Sequence, residues 1–294
     1  MKSVCLLFLL FLSLCFPVVA DSQQKKTPPP NRTPQLVRTT MRHEVRRFAY
    51  GGTLTLIGAP EGSVTIEGWS RNEIDISAEI QLRADSEADL ALLAAVNTFA
   101  LIEDANHLQV LTTGTHDKAF MKAATKKFPK TLLGLPWKID YRIHVPLSID
   151  LEINAGRGPI SLTGVEGNIQ LVATESEANL NLTGGTLSAT IAVGKVKLSI
   201  PTRSWHGNGG ELRVAIGELT VELPSGFSAD INADVLRAGH VEDSYGLEAR
   251  ETRGAAGPNQ LRVRAGAGGV SFQFTVGDGT IYIRKQTANA NSKQ

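Results

Sequence analysis

The feature that most constrains the fold is a series of short strand-like segments in the second half of the chain, separated by Gly, Asn or Pro turns. Apolar side chains alternate with polar ones in nearly all of them, as in Leu151 and Ile153 or Leu180 and Leu182. A period of two between tight turns is typical of strands with one buried face. Pairs of these strands recur about every 17 to 20 residues, near the short end of the periods of stacked repeats. Each unit has too few apolar residues to be stable alone, so neighbouring units must stack to bury one continuous core.

The first half of the chain shows the same alternation with one interruption. At residues 86–97 the pattern changes to an apolar stripe at helical spacing, and Ser86 can cap a helix there. A hairpin that turns at residues 104–106 is predicted to follow. The alternating apolar pairs are Leu54 with Leu56, Val64 with Ile66, and Ile74 with Ile76. A basic cluster at the start of this region is expected to be a solvated strand entry: Arg38, Arg42, Arg46 and Arg47.

The last third of the chain is less regular. Residues 243–259 lack a strand pattern, and the chain then closes with three strand-like segments, LRVRAG at 261–266, GVSFQFTVG at 269–277 and GTIYIRK at 279–285. The last two alternate Phe272 with Phe274 and Ile281 with Ile283. Aromatic and β-branched residues are the ones most enriched in strands. We expect these final strands to cap the stack.

Together the patterns predict a mainly β protein. It is a β-repeat stack, solenoid-like or sandwich-like, preceded by an N-terminal β region with one or two short helices. Alternation alone does not separate the two kinds of stacking, because both bury every second residue. The predicted organisation is a signal peptide at 1–20, a Pro-rich polar linker at 21–37, the N-terminal β region at 38–145, the β-strand repeats at 146–285 and a disordered tail at 286–294.

The first twenty residues predict export. Lys2 gives a positive start, an apolar run of about 13 residues extends to Phe16, and residues 18–20 offer a small-residue cleavage site before Asp21. The run is shorter than the roughly 20 residues of a membrane-spanning helix. Leu-Ser-Leu-Cys, which ends at Cys15, also resembles a weak lipid-attachment motif, so lipidation stays open. We expect the protein in the periplasm or at the cell surface.

Cleavage of this signal would leave a mature chain without cysteine, because Cys5 and Cys15 both lie inside it. Disulfides, thiolate nucleophiles and cysteine-bound metals are then not expected. Removing Lys2 from the 30 Lys and Arg leaves 29 basic against 29 acidic residues, a formal net charge of zero. A dedicated nucleic-acid binder would carry a strongly basic field, so nucleic acid is not an expected partner.

Residues 46–285 resemble the bacterial putative-adhesin family of unknown function, which is built from β-strand repeats. The resemblance rests on GSVTIEGW after an early strand, on the Val145-Pro146 step before the repeats, and on units of the form G-x-I-x-L-x-G-x-x-G, of which residues 158–167 are the closest copy. It implies an exported or membrane-linked β-repeat protein and gives no catalytic residue to carry over. Residues 174–177 replace a Gly-containing turn of the pattern and residues 205–209 widen another. We expect the repeat register to be irregular at both places.

No arrangement of catalytic or metal-binding residues stands out from the sequence. The six histidines form no HExxH or similar close-spaced set. The G-x-S-x-G elbow, the P-loop and a G-x-G-x-x-G before a helix are absent, so nucleophilic catalysis and nucleotide binding have no support. Acidic pairs alternate outward, as on solvated strand faces: Asp150 with Glu152, Glu218 with Glu222, and Asp230 with Asp234. We expect no enzyme activity, no cofactor and no metal.

Residues 116–138 interleave cations with aromatic side chains. If helical, this segment would present cations beside an apolar strip, which suits an anionic membrane surface or an acidic glycan. The alternative is a lid in which Phe120 and Phe128 cover one end of the β core while the lysines stay hydrated, and the two roles can coexist. The candidate residues for anionic-surface binding are Lys118, Lys122, Lys126, Lys127, Lys130 and Trp137.

The sequence thus predicts a non-enzymatic exported envelope or surface β-repeat protein that binds or adheres through its repeat face. Its partner stays open between an envelope polysaccharide, an anionic membrane surface and another envelope protein. The alternatives are a carbohydrate-active enzyme on a β-repeat scaffold and a structural or stress-responsive envelope component without a ligand. Carboxylates that converge on one groove would favour the enzyme, whereas a flat polar repeat face would favour binding.

Overall fold

Strands make up most of the chain in a computed structural model that describes residues 36–48, 50–58, 60–124, 127–247 and 257–286. The mainly β fold class is therefore confirmed. These residues belong to one unit, Pro34–Gln294. The predicted signal peptide, residues 21–35 of the linker and residues 287–294 of the tail lie outside the described residues.

The elements are β1 (Leu36–Arg47), β2 (Thr53–Ile57), β3 (Val64–Trp69), β4 (Glu73–Ala84), α1 (Glu87–Val96), β5 (Thr98–Asp104), β6 (His107–Thr113), α2 (Lys118–Ala124), a 3-10 turn (Lys130–Leu132), β7 (Trp137–Pro146), β8 (Asp150–Arg157), β9 (Ile160–Thr163), β10 (Asn168–Asn181), β11 (Gly184–Ser199), β12 (His206–Leu223), β13 (Ala229–Val235), β14 (Gly239–Asp243), β15 (Gln260–Ala265) and β16 (Ser271–Lys285).

The repeat region is built from parallel strands that stack in chain order. β10, β11 and β12 lie side by side, and Leu171 of β10 pairs with Ala189 of β11, an offset of 18 residues. β10 also pairs with β8 through its first half and with β9 through its second half. Each predicted pair of short strands is therefore one coil, formed either by two short strands or by one long bent strand.

A ladder of small residues marks the bend in each coil. Ser176 of β10 pairs with Gly194 of β11, Gly194 pairs with Gly217 of β12, and Gly217 pairs with Gly279 of β16. The three glycines have φ angles of 142 to 145°, which L side chains rarely adopt. The bend divides the sheet into two layers, and the inward side chains of both layers belong to one core. The layer that holds the first halves of the long strands is called the back layer, and the layer of the second halves the front layer.

The first half of the chain extends both layers. β2 pairs with β8 in the back layer and β3 pairs with β9 in the front layer, so β2 and β3 form the first coil. Beyond them the back layer adds β6 and β5, and the front layer adds β7, β4 and β1. At this end the front layer is therefore one strand longer than the back layer, and that extra strand is β1.

The strand order at the other end confirms the predicted cap in part. β15, which contains most of LRVRAG, is the last strand of the order, but the position of β16 corrects the rest of the prediction. β16 does not cap the stack, because it lies between β12 on one side and β13 and β14 on the other. Its two halves bury Phe272 and Phe274 in one layer and Ile281 and Ile283 in the other. β14, in contrast, has no buried residue, and β15 pairs with β13 alone. β16 has alternating apolar residues in both of its halves, so it contributes buried side chains to both layers of the core. An interior position in the stack buries both halves.

Burial follows the predicted alternation along the strands. Leu162, Leu198 and Val214 are at most 2% exposed. The flanking Lys197 and Arg213 are exposed. A slip of one residue in register would have exchanged these two sets. The predicted inward and outward faces are therefore confirmed at these positions. Ile216, which was expected to continue the alternation of Leu212 and Val214, is instead 51% exposed.

The two stretches that depart from the repeat pattern behave differently. β10 runs without interruption through residues 174–177, and Ser176 takes the corner position that glycine holds in the next coil. The irregularity expected there was wrong, because a serine is small enough for the corner. At residues 205–209 the expected irregularity is confirmed, since the pairing of β11 with β12 shifts between Gly185 and Thr186.

The longer of the two helices packs at the end of the stack where the chain enters. The Ser86 hydroxyl accepts a hydrogen bond from the backbone N–H of Asp89 at 3.1 Å and caps α1. The helix buries Leu90, Leu93 and Val96. Among the described residues, no helix has the length and apolar character to cross a membrane.

Candidate binding face

The outward side chains of the front layer form a face that is almost entirely polar where the repeats lie. Side chains at the same level line up across the strands because paired residues of neighbouring strands point to the same side. Neighbouring strands are about 4.8 Å apart, so each row offers one polar group per strand at that spacing. One row contains Thr65, Ser161, Asn179, Lys197 and Thr220, and the next contains Glu67, Thr163, Asn181, Ser199 and Glu222. These two rows are called the polar face.

A groove of about 260 Å³ crosses the polar face between β9 and β12. Four of its lining side chains make no side-chain hydrogen bond to any other described residue. They are Ser161, Thr163, Asn179 and Asn181. Amide and hydroxyl groups each supply donors and acceptors. This first groove therefore presents free groups of both kinds to a polar molecule.

The charges that line the first groove are paired with each other. Lys197 Nζ lies 2.7 Å from Glu222 Oε1, and Ser199 Oγ donates to Glu222 Oε2 at 3.1 Å. Among the described lining residues, Lys197 is the only cation and Glu222 the only carboxylate. The groove is therefore close to neutral in charge, and its character is set by hydrogen-bonding groups.

A second groove, of about 240 Å³, lies further along the same side of the front layer and shares Thr65 with the polar face. Two carboxylates line it, those of Glu79 and Asp140, which lie directly opposite each other on the neighbouring strands β4 and β7. Asp140 accepts hydrogen bonds from the backbone N–H and the hydroxyl of Ser63 at 2.7 and 2.9 Å, and from Lys138 Nζ at 2.7 Å. Partial burial acts to raise the pKa of Asp140, but the hydrogen bonds from Lys138 and Ser63 outweigh it, so the pKa is lowered.

The acidic pairs named from the sequence are all engaged in ordinary strand-face contacts. Glu152 accepts a hydrogen bond from the Thr55 hydroxyl, and Asp150 accepts one from the backbone N–H of Asn168. The other four carboxylates form ion pairs: Glu218 with Lys195, Glu222 with Lys197, Asp230 with Arg264 and Asp234 with Arg262. No group of three or more His, Cys, Asp or Glu side chains that could hold a metal ion occurs among the described residues.

The basic segment at residues 116–138 folds as α2, a 3-10 turn and the first residues of β7. Four of its lysines are exposed and form no ion pair within the described part of the chain: Lys118, Lys122, Lys127 and Lys130. Lys138, in contrast, forms an ion pair with Asp140. Lys126 lies outside the described residues. Trp137 corrects the prediction of a surface indole, since it is only 7% exposed and belongs to the core. It is buried because it begins β7, where its ring packs 5.4 Å from that of His116.

The predicted lid is anchored by other side chains than the two phenylalanines. Phe128 packs against the core, as expected, but Phe120 is only half-buried and is not part of it. The side chains that the segment buries are Met121, Leu132 and Trp137, each at most 7% exposed. Phe120 as a lid residue was therefore wrong, because α2 turns Met121 and not Phe120 inward. Partial burial of the His116 side chain lowers its pKa.

The side chains of the first groove were missed in the sequence. Asn179 and Asn181 look like ordinary outward residues of one strand, because one strand shows only a single polar group per row. The signal that could have found them is the offset of 18 residues between coils. It aligns Ser161 with Asn179 and Lys197, and Thr163 with Asn181 and Ser199.

No protein-family model matches the sequence, and no curated protein matches it. A solved putative cell adhesion protein from Clostridium sporogenes is 15% identical with a TM-score of 0.46, and the alignment covers 84% of this chain and 100% of that one. A putative adhesin from Bacteroides fragilis is 9% identical with a TM-score of 0.25, covering 84% and 97%. A putative lipid binding protein from Parabacteroides distasonis is 11% identical with a TM-score of 0.23, also covering 84% and 97%.

Proposed function

We propose that the polar face binds an extended, polar and nearly uncharged polymer, and that this polymer is a glycan of the cell envelope. The observation that carries the proposal is the set of free side chains in the first groove, Ser161, Thr163, Asn179 and Asn181. They repeat from strand to strand in two rows, so a polymer with hydroxyl groups at regular intervals can bond to several of them at once. The protein acts outside the cytoplasm in this proposal, as its N-terminal sequence predicts.

The charge of the groove favours a neutral polymer over an anionic one. Lys197 is already held by Glu222 at 2.7 Å. A phosphate or sulfate chain would have to compete for that ammonium group and would meet the carboxylate beside it. Sugar hydroxyls, in contrast, can donate to and accept from the free amides and hydroxyls without displacing the ion pair.

The test is affinity electrophoresis of the full chain in gels that contain envelope polysaccharide fractions. The variant Asn179→Ala with Asn181→Ala removes two free amides from the first groove. The matched control, Gln170→Ala with Thr174→Ala, changes two exposed residues of the same strand in the back layer. We expect the groove variant to weaken binding about tenfold, since two hydrogen bonds of about 0.5 to 1.5 kcal/mol each are lost. Equal weakening by both variants, or no retention by any fraction, would contradict the proposal.

The second candidate is a carbohydrate-active enzyme, and the pairing of Glu79 with Asp140 in the second groove favours it. A glycosidase needs one carboxyl group with a raised pKa to act as the acid. The lowered pKa of Asp140 makes this carboxyl group unsuited to be that acid. We propose that binding occurs without catalysis. Incubation with the retained polysaccharide decides between the two. Release of new reducing ends that Glu79→Gln abolishes would establish the enzyme and overturn the non-enzymatic proposal.

A further inference from the structure

β1 is a 12-residue strand with no buried side chain. It pairs with β4 along one edge, and none of the other described strands pairs with its second edge. Because the front layer is one strand longer than the back layer at this end, β1 extends beyond β5, the last strand of the back layer. A long edge strand with free N–H and C=O groups is a template for another strand.

The side of β1 that faces the core is held by its own chain. Arg38 pairs with Glu87 of α1 at 2.6 Å, Arg42 donates to the carbonyl oxygen of Phe99, and Arg46 pairs with Glu103. The outward side carries three exposed apolar residues at every fourth position. They are Val37, Met41 and Val45, which are 52%, 64% and 43% exposed. What remains open on β1 is therefore a free backbone edge and an outward side on which these three apolar residues alternate with polar ones.

We propose that β1 pairs with β1 of a second copy of this chain, antiparallel and centred on Met41. In this register Met41 lies opposite Met41 of the other copy, and Val37 lies opposite Val45. On the other side of the strand Arg38 lies opposite Glu44. All three exposed apolar residues thus face apolar residues, and the charged pair is of opposite sign, which is the favourable combination for directly opposed side chains.

Neighbouring registers lack this match. A centre at Thr40 places Arg38 opposite Arg42, and a centre at Arg42 places Arg42 opposite itself. A centre at His43 pairs Met41 with Val45 but leaves Val37 beyond the end of the other strand, which ends at Arg47. Like charges that lie directly opposite each other are destabilising. Among these registers, the centre at Met41 pairs all three outward apolar residues with one another and sets no arginine against another.

The pairing would join the front layers of two copies into one sheet. Because outward residues lie opposite outward residues, both polar faces end up on the same side. The interface is isologous, with the same patch contributed by each copy, as in most two-fold dimers. It goes beyond the proposed function and does not depend on it, since neither groove variant above changes β1.

The first test exchanges the charges. We expect sedimentation velocity of the full chain to show twice the mass of one chain, whereas Arg38→Glu alone and Glu44→Arg alone sediment as single chains at the same concentration. Mixing the two variants should restore the double mass. Position 38 of each copy lies opposite position 44 of the other, so the dimer contains this contact twice. In a hybrid dimer each of the two contacts sets a glutamate of the first variant against an arginine of the second. Wild-type protein that sediments as a single chain at every concentration, or a mixture that stays monomeric while both variants are folded, would overturn the proposal.

The second test locates the centre of the interface and does not require the charge variants to fold. Directly opposed residues have Cα atoms about 4.5 to 5.5 Å apart, which fits a disulfide, so Met41→Cys should cross-link under mild oxidation. Val37→Cys is the control, because the two copies of residue 37 are offset by eight residues, roughly 26 Å. Cys5 and Cys15 are present in both variants and cancel in the comparison. Equal cross-linking of both variants, or cross-linking of His43→Cys instead, would overturn this pairing.

Discussion

Gly194 lies directly beside Ser176 where β10 and β11 turn the corner of the stack, and a Cβ atom on Gly194 would collide with the carbonyl oxygen of Ser176. The same relationship recurs between Gly217 and Gly194 and between Gly279 and Gly217. The corner is therefore a stack of backbones in direct contact. At Gly194, Gly217 and Gly279 it needs glycine both for the φ angle and for the space that a side chain would fill.

Gly194→Ala should destabilise the protein by about 1 to 3 kcal/mol, because the alanine would have to keep a φ of 145° or push the corner apart. Urea denaturation measures the change in the free energy of unfolding. Gly134→Ala is the matched control, since it has nothing within 4 Å of its Cβ position and no positive φ. The control should change stability by less than about 0.5 kcal/mol. Similar losses in both variants would show that the corner is not a close backbone contact.

The alternation of side chains was predictable because it is local. Leu198 and Lys197 lie on opposite sides of β11 whichever strands are its neighbours. The position of β16 in the sheet was not predictable, because the pairing of parallel strands depends on contacts between residues far apart in the chain. Phe272 and Phe274 indicate a strong strand, but nothing near them tells whether that strand ends the stack or enters it.

The candidate site was less predictable than the fold, for a related reason. Asn179 and Asn181 acquire their meaning only when Ser161 and Thr163 lie in the next strand at the same level. The prediction for Trp137 was wrong for a different reason. Its basic neighbours in the sequence suggested a surface residue, but its position at the start of β7 buries it. Composition indicates the chemistry of a segment, whereas burial depends on which element the residue joins.

Ser176→Ala should leave stability unchanged or raise it by up to about 1 kcal/mol. The Ser176 hydroxyl is buried and has no hydrogen-bond partner among the described residues, so its removal ends an uncompensated desolvation cost. Thr112→Val provides the contrast, because the buried Thr112 hydroxyl is 2.8 Å from the Tyr141 hydroxyl. That change should cost about 1 kcal/mol or more by leaving Tyr141 unpaired. A clear loss of stability in Ser176→Ala would mean that the hydroxyl is bonded in solution.

Asp140 should make stability depend on pH in the acid range. Its pKa is lowered in the folded protein, because the hydrogen bonds from Lys138 and Ser63 outweigh partial burial. A lowered folded pKa gives stabilisation that is fully present above the unfolded value of about 3.9 and is lost as the pH falls through the folded value. Asp140→Asn should therefore be less stable than the wild type at pH 7, and the gap should narrow below about pH 4. Urea denaturation at pH 7 and pH 3 measures it, and a gap that is constant with pH would contradict this role.

The exposed lysines of the basic segment should contribute to the binding of anionic surfaces and not to the stability of the fold. Replacing by Gln the four lysines that have no ion-pair partner among the described residues should weaken co-sedimentation with anionic vesicles and leave the Tm nearly unchanged: Lys118, Lys122, Lys127 and Lys130. The wild-type binding should also fall with added salt, which screens charges beyond about 8 to 10 Å at physiological ionic strength.

Leu132→Ala is the complementary variant, because Leu132 is 5% exposed and packs in the core. It should cost about 2 to 5 kcal/mol, the usual range for emptying a buried leucine site, without weakening the vesicle binding of the folded fraction. Phe120→Ala should cost less, since that ring is half-buried and outside the core. If the four lysine changes leave vesicle binding intact, the segment acts only as a cover for the core. A larger loss for Phe120→Ala than for Leu132→Ala would instead mean that α2 presents its opposite side to the protein.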